Sequence, residues 1–315
     1  MGFKVIILLL ILLFISTIYH QVRKKFEIKK YRPLGKVINV GDGNLHIYGK
    51  GKGTPTIIFT CGNGLGFSLG NYYTIFSKLA ETNRVVVYDR FGYGWSSSTS
   101  NARTIEQINK ELYQLLKKSN EKAPFLLVGH SLGAIEVVGF AKRYPELVAG
   151  VVTLDGTSPS FYRNKKELSI QNIMASSITR FLSFTGLLRI LINLKSLNTT
   201  SKLLPEEIDK TTKMIAYNRI YSNEAIEEVQ NLIKNGEEEG TLNDTPLLVL
   251  TADKLVMKQK QKKLYQDFEN SQNDLLKLSS NSRQIIINDA DHLFLIKKPN
   301  VVIKELQNFL NDISN

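Results

Sequence analysis

The sequence predicts an α/β protein with a mostly parallel β-sheet, helices on both faces of the sheet, a helical insertion between the sixth and seventh strands, and an amino-terminal transmembrane helix. Short apolar runs of strand length alternate with amphipathic helical segments, which is typical of parallel sheets. This alternation stops between residues 158 and 241, where only helical patterns occur, and it resumes afterwards. A nearly unbroken apolar run covers residues 3–19, which is within the range of membrane-spanning helices.

The individual elements follow from these patterns. The predicted strands lie at Val37–Val40, Leu45–Tyr48, Thr56–Thr60, Arg84–Tyr88, Phe125–Val128, Val148–Leu154, Pro246–Thr251 and Arg283–Ile287. The first two strands flank Gly41–Asn44 and are predicted to form a β-hairpin. The predicted helices lie at Tyr72–Glu81, from Thr104 onward, and at Ala134–Arg143, Ile170–Leu197, Pro205–Lys234 and Val301–Ile313.

Composition and charge restrict the class of protein. The chain has 315 residues, 43% of them hydrophobic and 22% charged, which is ordinary for a globular protein. The formal net charge of +12 is compatible with nucleic acid or a membrane surface. We expect no nucleic-acid partner, because the lysines are spread over helices and no nucleic-acid-binding motif is found. Cys61 is the only cysteine, which excludes an intrachain disulfide and a cysteine metal cluster, and we expect neither metal nor cofactor.

The apolar run at residues 3–19 has two interpretations, an uncleaved anchor and a cleaved signal peptide. The run is interrupted only by Lys4, Ser16 and Thr17, and it is slightly shorter than the usual span of about 20 residues. No small-x-small cleavage site follows it, so we expect an anchor. Together with a basic juxtamembrane segment, the anchor makes up residues 1–32.

Basic residues crowd the carboxy-terminal flank of this anchor. They are Arg23, Lys24, Lys25, Lys29, Lys30 and Arg32, against Lys4 and the α-amine on the other flank. The positive-inside rule then favours a cytoplasmic globular domain, although an outward orientation stays open. The same cluster could also rest on anionic lipid headgroups.

The segment from 125 to 143 carries the clearest chemical motif. Gly129-His130-Ser131-Leu132-Gly133 lies between a predicted buried strand and a predicted helix. A G-x-S-x-G in that context is the nucleophile elbow, in which a strained turn lifts the serine hydroxyl clear of the sheet. A side chain at either glycine would collide with the neighbouring elements, and the helix amino terminus favours developing negative charge. The alternative is a chance Gly/Ser turn.

The order of motifs resembles the α/β-hydrolase superfamily over residues 37–313. The matching motifs are the glycine-rich loop Gly62–Gly66, the turn Asp89–Ser96, the elbow, and a late Asp291-His292. The resemblance implies a Ser-acid-His triad in this chain order, with Ser131 as the nucleophile. Of the four histidines, His292 follows the last strand and is the expected base. His130, beside the nucleophile, is expected to pack or hydrogen-bond inside the fold.

Two aspartates are candidates for the triad acid. Asp155 ends the strand after the elbow helix, a placement that resembles some lipases of the superfamily. Asp253 follows the next strand, where most members keep their acid, but the usual carboxylate would fall one or two residues later, at Leu255 or Val256. We favour Asp155 and keep Asp253 as the alternative.

The resemblance also implies an oxyanion hole built from the backbone amides of Leu132 and Asn63. The family's His-Gly pair before Asn63 is Cys61-Gly62 here, which leaves the amide in place and removes a bracing histidine. Residues 33–157 and 242–315 are expected to form the core. Residues 158–241 are expected to form a cap over the carboxyl edge of the sheet, where ligands bind, rather than a separate helical subdomain.

These predictions favour a membrane-anchored serine hydrolase that cleaves carboxylic esters or lipid-like acyl groups. Apolar residues of the expected cap suit an acyl chain, although they could equally pack the cap onto the sheet; they are Phe161, Tyr162, Phe181, Leu182, Phe184, Leu187 and Leu188. One alternative is a related serine hydrolase that acts on C–C, amide or lactone bonds. Another is a hydrolase-like membrane protein that binds or scaffolds with little turnover. The sequence does not predict the oligomeric state.

Overall fold

An eight-stranded sheet forms the centre of the protein. The computed structural model describes residues 2–162, 166–196, 204–219, 222–235, 240–260 and 265–314. The strands are β1 (Lys36–Asn39), β2 (Asn44–Lys50), β3 (Thr56–Thr60), β4 (Val85–Asp89), β5 (Phe125–His130), β6 (Val148–Leu154), β7 (Leu247–Ala252) and β8 (Ser282–Ile287). Each coincides with a predicted strand, with bounds that differ by no more than a few residues.

The strand order is β1-β2-β4-β3-β5-β6-β7-β8. The hairpin strands β1 and β2 run antiparallel to each other and β2 runs antiparallel to β4, whereas all other neighbours are parallel. The mostly parallel sheet is therefore confirmed. In such a sheet the carboxyl ends of β3, β5, β6 and β7 meet at one edge, which is where the functional side chains of this fold collect.

Helices cover both faces of the sheet. The helices of the core are α2 (Ser68–Leu79), α3 (Ile105–Lys118), α4 (Gly133–Arg143), α9 (Lys254–Lys260), α10 (Tyr265–Leu276), α11 (Phe294–Lys297) and α12 (Pro299–Ser314). Alternate residues of β5 point to opposite faces of the sheet. Leu126 and Val128 belong to the apolar cluster that packs against α2 and α12, and Leu127 belongs to the cluster that packs against α3 and α4. Because both faces are buried, this strand is continuously apolar.

In the described part of the chain between β6 and β7, where the sequence predicts an insertion, there are four α-helices. They are α5 (Lys166–Phe184), α6 (Leu187–Ser196), α7 (Glu206–Arg219) and α8 (Asn223–Asn235). The single helical stretch predicted at Ile170–Leu197 is wrong in one respect, because α5 and α6 meet at an angle of 95°. Gly186 lies at this corner with a φ of +81°, a conformation that glycine adopts without steric cost.

Helix α1 (Gly2–Lys30) precedes the sheet and is 29 residues long. Among the described residues it is the one unbroken helix long and apolar enough to cross a membrane, and an amino-terminal signal sequence would share these properties. Its apolar side chains from Phe3 to Tyr19 are exposed, except where the helix meets the insertion.

Candidate active site

The elbow joins β5 to α4, and Ser131 sits at its apex. Its φ is +53°, in the left-handed region that costs a non-glycine residue of order 1–3 kcal/mol. The Ser131 amide donates to the carbonyl of Leu154 at the end of β6, 3.2 Å away, and its carbonyl accepts from Thr157, 3.0 Å away. The strained turn is therefore tied to the neighbouring strand on both sides of the serine.

Both glycines of the elbow are required sterically, as the sequence predicts. A methyl group on Gly129 would lie 2.3 Å from the carbonyl oxygen of Gly133. A methyl group on Gly133 would lie 3.0 Å from the carbonyl oxygens of Thr60 and Cys61 at the end of β3. The absence of side chains lets the turn pack against the start of α4 and the adjacent strand.

The late histidine is paired with the aspartate at the end of β6. His292 Nδ1 lies 2.6 Å from Asp155 Oδ2, and the Asp155 side chain is only 3% exposed. The second oxygen, Asp155 Oδ1, accepts a hydrogen bond from the amide of Ala252, 3.0 Å away. Asp155 also has a left-handed φ of +43°. The carboxylate is thus oriented by β7 and aimed at one nitrogen of His292.

Asp253 has different partners. Its Oδ1 accepts from the amide of Leu255 and its Oδ2 from the amide of Asp289, both at 2.8 Å. These backbone hydrogen bonds lower the pKa of the Asp253 carboxyl. Both oxygens of Asp253 therefore brace the loops after β7 and β8.

His130 connects the elbow to His292. The Nε2 of His130 lies 2.9 Å from the backbone carbonyl oxygen of His292, and the two ring centroids are 4.6 Å apart. Burial, assisted by the nearby His292, lowers the pKa of His130 to about 3. The ring is therefore neutral at physiological pH. Since a carbonyl only accepts, Nε2 carries the proton and donates it.

The loop between β3 and α2 lies against the nucleophile. A methyl group on Gly62 would be 2.8 Å from Ser131 Cβ. The side chain of Asn63 donates to the carbonyl of Ala225 in α8, 2.5 Å away, and to the hydroxyl of Tyr93, 3.3 Å away. The amide of Leu132 follows the serine at the start of α4. The two segments named for the oxyanion hole thus flank the same serine.

A buried charge network braces this loop, and the sequence analysis missed it. Arg90 Nη1 donates to the carbonyl of Cys61, 2.7 Å away, and to Glu136 Oε2, 2.9 Å away. The Nε and Nη2 of Arg90 bind both oxygens of Glu228 in α8, at 2.9 and 3.0 Å. Burial raises the pKa of Glu136 well above its usual range. Arg90 of the turn Asp89–Ser96 was the only sequence indication of this network.

Two further features surround the catalytic candidates. The ring of Phe268 in α10 meets the ring of His292 edge-on at 5.4 Å and that of Phe161 at 4.8 Å, which forms an apolar wall beside the histidine. Burial raises the pKa of the Cys61 thiol to about 12, so this side chain is protonated and packs as a small apolar group.

In the described part of the chain, no group of three His, Cys, Asp or Glu side chains is arranged to hold a metal ion.

The sequence model of the α/β hydrolase fold family matches residues 55–299, which is most of the chain and includes every site residue described above. The chain belongs to the α/β-hydrolase family. Among curated proteins, it is 25% identical to the YbdG protein of Bacillus subtilis over 242 residues, or 75% of this chain and 74% of YbdG.

A second curated protein and a solved structure are also similar to the chain. The chain is 30% identical over 118 residues to a cis-3-alkyl-4-alkyloxetan-2-one decarboxylase of Shewanella oneidensis, which covers 36% of each protein. The chain therefore spans only about a third of that relative. A thermophilic esterase of Thermogutta terrifontis superposes with a TM-score of 0.63 over 90% of this α/β-hydrolase and 99% of the esterase. At 18% identity this likeness concerns the fold alone.

Proposed function

We propose that the protein is a membrane-anchored serine hydrolase that cleaves carboxylic ester or lipid-like acyl substrates through an acyl-enzyme. The observation that carries this proposal is the strained elbow serine, Ser131, in one fold with the hydrogen-bonded pair of His292 and Asp155. A serine hydroxyl is a poor nucleophile at neutral pH and needs a base to take its proton.

In the proposed acylation step, Ser131 Oγ attacks the ester carbonyl carbon while His292 Nε2 takes the hydroxyl proton. Asp155, bound to Nδ1, keeps the tautomer with Nε2 free to accept and stabilises the imidazolium. The negative charge that develops on the carbonyl oxygen is stabilised by the amides of Leu132 and Asn63. Collapse of the tetrahedral intermediate expels the alcohol, which leaves with the proton returned by His292.

Deacylation repeats the same steps with water. His292 takes a proton from the water molecule, the hydroxide oxygen attacks the acyl carbon, and the carboxylic acid is released as Ser131 recovers its proton. Asp155 again holds and orients His292 in this step. Asp155 is preferred over Asp253 for this role because it is bonded to His292 Nδ1, whereas the oxygens of Asp253 accept hydrogen bonds from backbone amides.

The substrate class is inferred from the surroundings of the site. The insertion, residues 158–241, is proposed as a cap, since Asn63 and Arg90 of the core bond directly to its helix α8. The aromatic wall of Phe161 and Phe268 beside His292 favours an apolar acyl group. Helix α1 is proposed as the membrane anchor, with the globular domain on the cytoplasmic side because of the basic flank after residue 19.

A second candidate is hydrolysis of a cyclic ester. The relative from Shewanella oneidensis is named for an oxetan-2-one, which is a four-membered lactone. The same serine, base and oxyanion donors would open a lactone by acyl transfer. Comparing turnover of β-lactones with that of linear esters of equal carbon number separates the two candidates.

The decisive experiment combines active-site labelling with a substrate series. A fluorophosphonate probe should form an adduct on Ser131 in the folded full-length protein and none in Ser131→Ala. Nitrophenyl esters of increasing chain length should then be hydrolysed by the wild type and not by Ser131→Ala. A folded protein that takes no adduct at Ser131 would exclude the proposed enzyme and favour a binding role.

A further inference from the structure

Helices α5 and α6 of the insertion expose an apolar face. Large apolar side chains between 40% and 63% exposed lie on both helices: Ile173, Met174, Ile178, Phe181, Phe184, Ile190, Leu191 and Leu194. On α5, Met174, Ile178 and Phe181 follow each other at spacings of four and three residues, which places them in one stripe along the helix. Contiguous exposed apolar surface of this kind marks an interaction site.

The opposite side of α5 is polar. Thr179, Arg180 and Ser183 line a cleft of about 580 Å³ that is shared with Gln21 and Lys24 of α1. Residues advance by about 100° around a helix, so this polar side points away from the stripe of Met174, Ile178 and Phe181. A helix with one polar side and one exposed apolar side is typical of segments that lie in a membrane interface.

The corner between α5 and α6 rests on α1 near the end of its apolar run. Ser16 Oγ donates to the carbonyl of Thr185, 2.8 Å away, and Gln21 Nε2 donates to the carbonyl of Phe184, 2.9 Å away. Nearly two turns further along α1, both oxygens of Glu27 accept hydrogen bonds from Arg189 of α6, at 2.7 Å each. The insertion is therefore fixed to the part of α1 where apolar residues give way to basic ones.

We propose that the exposed apolar faces of α5 and α6, here called the α5–α6 face, are embedded in the lipid bilayer beside α1. This inference rests on the proposed role of α1 as the membrane anchor. Lipid fits the surface better than a protein partner does, because the face lies next to an apolar helix that is itself exposed. The basic residues from Arg23 to Arg32 then lie at the level of anionic headgroups.

This placement has a consequence for the proposed substrate. The α5–α6 face belongs to the same insertion whose helix α8 binds the loop beside Ser131 through Asn63 and Arg90. An acyl substrate dissolved in the bilayer would then meet the insertion without leaving the lipid phase. The substrate would then reach the active site by lateral diffusion in the membrane.

The test measures lipid contact in the full-length protein, reconstituted in vesicles of phosphatidylcholine and phosphatidylglycerol. An environment-sensitive fluorophore is attached at Phe181→Cys or Met174→Cys, with Phe14→Cys in α1 as the reference and Lys117→Cys on α3 as the matched aqueous control. The native Cys61 does not interfere, because it is 2% exposed and burial raises its thiol pKa to about 12. Lipids brominated on their acyl chains serve as quenchers.

We expect brominated lipid to reduce emission at positions 181 and 174 by a fraction comparable to that at position 14, with no loss at position 117. Quenching at 14 without quenching at 174 and 181 overturns the inference and leaves the anchor intact. A blue-shifted but unquenched label at both positions also overturns it, because protein, such as a second copy, then covers the face. Absence of quenching at position 14 overturns the anchor itself.

Discussion

At the scale of single residues, the choice between Asp155 and Asp253 depends on hydrogen-bond partners. Both aspartates follow parallel strands and reach the same edge of the sheet. Asp155 directs one oxygen to His292 and anchors the other on the amide of Ala252. Asp253 uses both oxygens for backbone amides.

We therefore expect Asp155→Asn to lower kcat for nitrophenyl esters by roughly 10⁴-fold, because an amide at this position stabilises the wrong tautomer of His292. Asp253→Asn is the matched control, since it makes the same chemical change directly after the neighbouring strand β7. It should alter kcat only slightly while it lowers thermal stability through the loosened loops. A large loss of kcat in Asp253→Asn alone would reverse the assignment.

His130 supports a second prediction at this scale. Its ring donates from Nε2 to the backbone of His292 and stays neutral above about pH 3, since burial lowers its pKa. Replacing it in His130→Phe removes the hydrogen bond while keeping an aromatic ring, and we expect kcat to fall by roughly tenfold through misplacement of His292.

The pH profile separates this positioning role from direct proton transfer. The acid limb of kcat/KM should show the same midpoint in His130→Phe as in the wild type, because the neutral ring contributes no ionisation in that range. A shifted or additional limb in the variant would indicate that His130 itself exchanges protons in the reaction.

Ser131 and His292 could be predicted from the sequence because each has a local signal. Ser131 lies between the two glycines of the elbow, and His292 follows the last strand. It left the acid open because both aspartates satisfy the same local pattern. The bonds that distinguish them join residues 97 to 137 positions apart. The same limit applies to the partners of Arg90, because Glu228 lies 138 residues further along the chain.

At the scale of elements, the strands and the core helices α2, α3, α4 and α12 were predictable because their patterns are local. The corner at Gly186 was not, since apolar and polar residues continue at helical spacing on both sides of it. Helices α9, α10 and α11 were also left without a prediction. Hydrophobic periodicity does not predict hydrogen bonds between elements that are distant in sequence, such as those of α8 with the loop after β3.

The link between α8 and Arg90 can be tested by Glu228→Gln. Arg90 and Glu228 are 4% and 1% exposed, and removal of one partner leaves a buried charge uncompensated. We expect a loss of about 3 kcal/mol in the free energy of unfolding, measured by denaturant titration. The kcat should fall as well, because Arg90 also binds the carbonyl of Cys61. Glu206→Gln in α7, whose partner Lys210 is exposed, is the control and should leave the unfolding midpoint unchanged.

The hairpin is joined to the sheet by a pH-sensitive contact. His46 Nδ1 lies 2.8 Å from Asp89 Oδ2, and Nε2 lies 2.5 Å from the carbonyl of Leu34. Burial alone would lower the pKa of His46, but the hydrogen bond and charge of Asp89 outweigh it and raise the pKa above 6.5. The stabilisation is thus complete below about pH 6.5 and is lost as the pH rises through the folded-state value.

We expect the difference in melting temperature between the wild type and His46→Gln to be larger near pH 6 than near pH 9. Thermal scans at both pH values measure it. Asp42→Asn, an exposed change in the turn of the same hairpin, should give a difference that does not vary over this range. A difference for His46→Gln that grows with pH would contradict the assigned charge state.

At the scale of the whole molecule, α1 is joined to the catalytic domain by more than a connecting segment. Ser16, His20 and Glu27 lie on one side of the helix, at spacings of four and seven residues, and all three meet the insertion. His20 and Glu27 are the only buried side chains of α1 in the described structure. Their spacing was visible in the sequence, but their partners lie more than 160 residues away. Helix α1 and the proposed cap are therefore joined by several side-chain hydrogen bonds.

The pair of Glu27 and Arg189 should account for much of this coupling. The two side chains are 11% and 10% exposed and share two hydrogen bonds of 2.7 Å. Glu27→Gln leaves the Arg189 guanidinium without its counter-charge. We therefore expect the free energy of local unfolding of α6 to fall by about 2 kcal/mol. Amide hydrogen exchange in α6 of the full-length protein measures this free energy, with β5 as the internal reference for global unfolding.

Arg23→Gln is the matched control, because Arg23 also binds Glu27 but is half exposed. It should leave hydrogen exchange in α6 unchanged. Equal acceleration in α6 and β5 would mean that the pair stabilises the whole domain, and that helix α1 does not stabilise the insertion in particular.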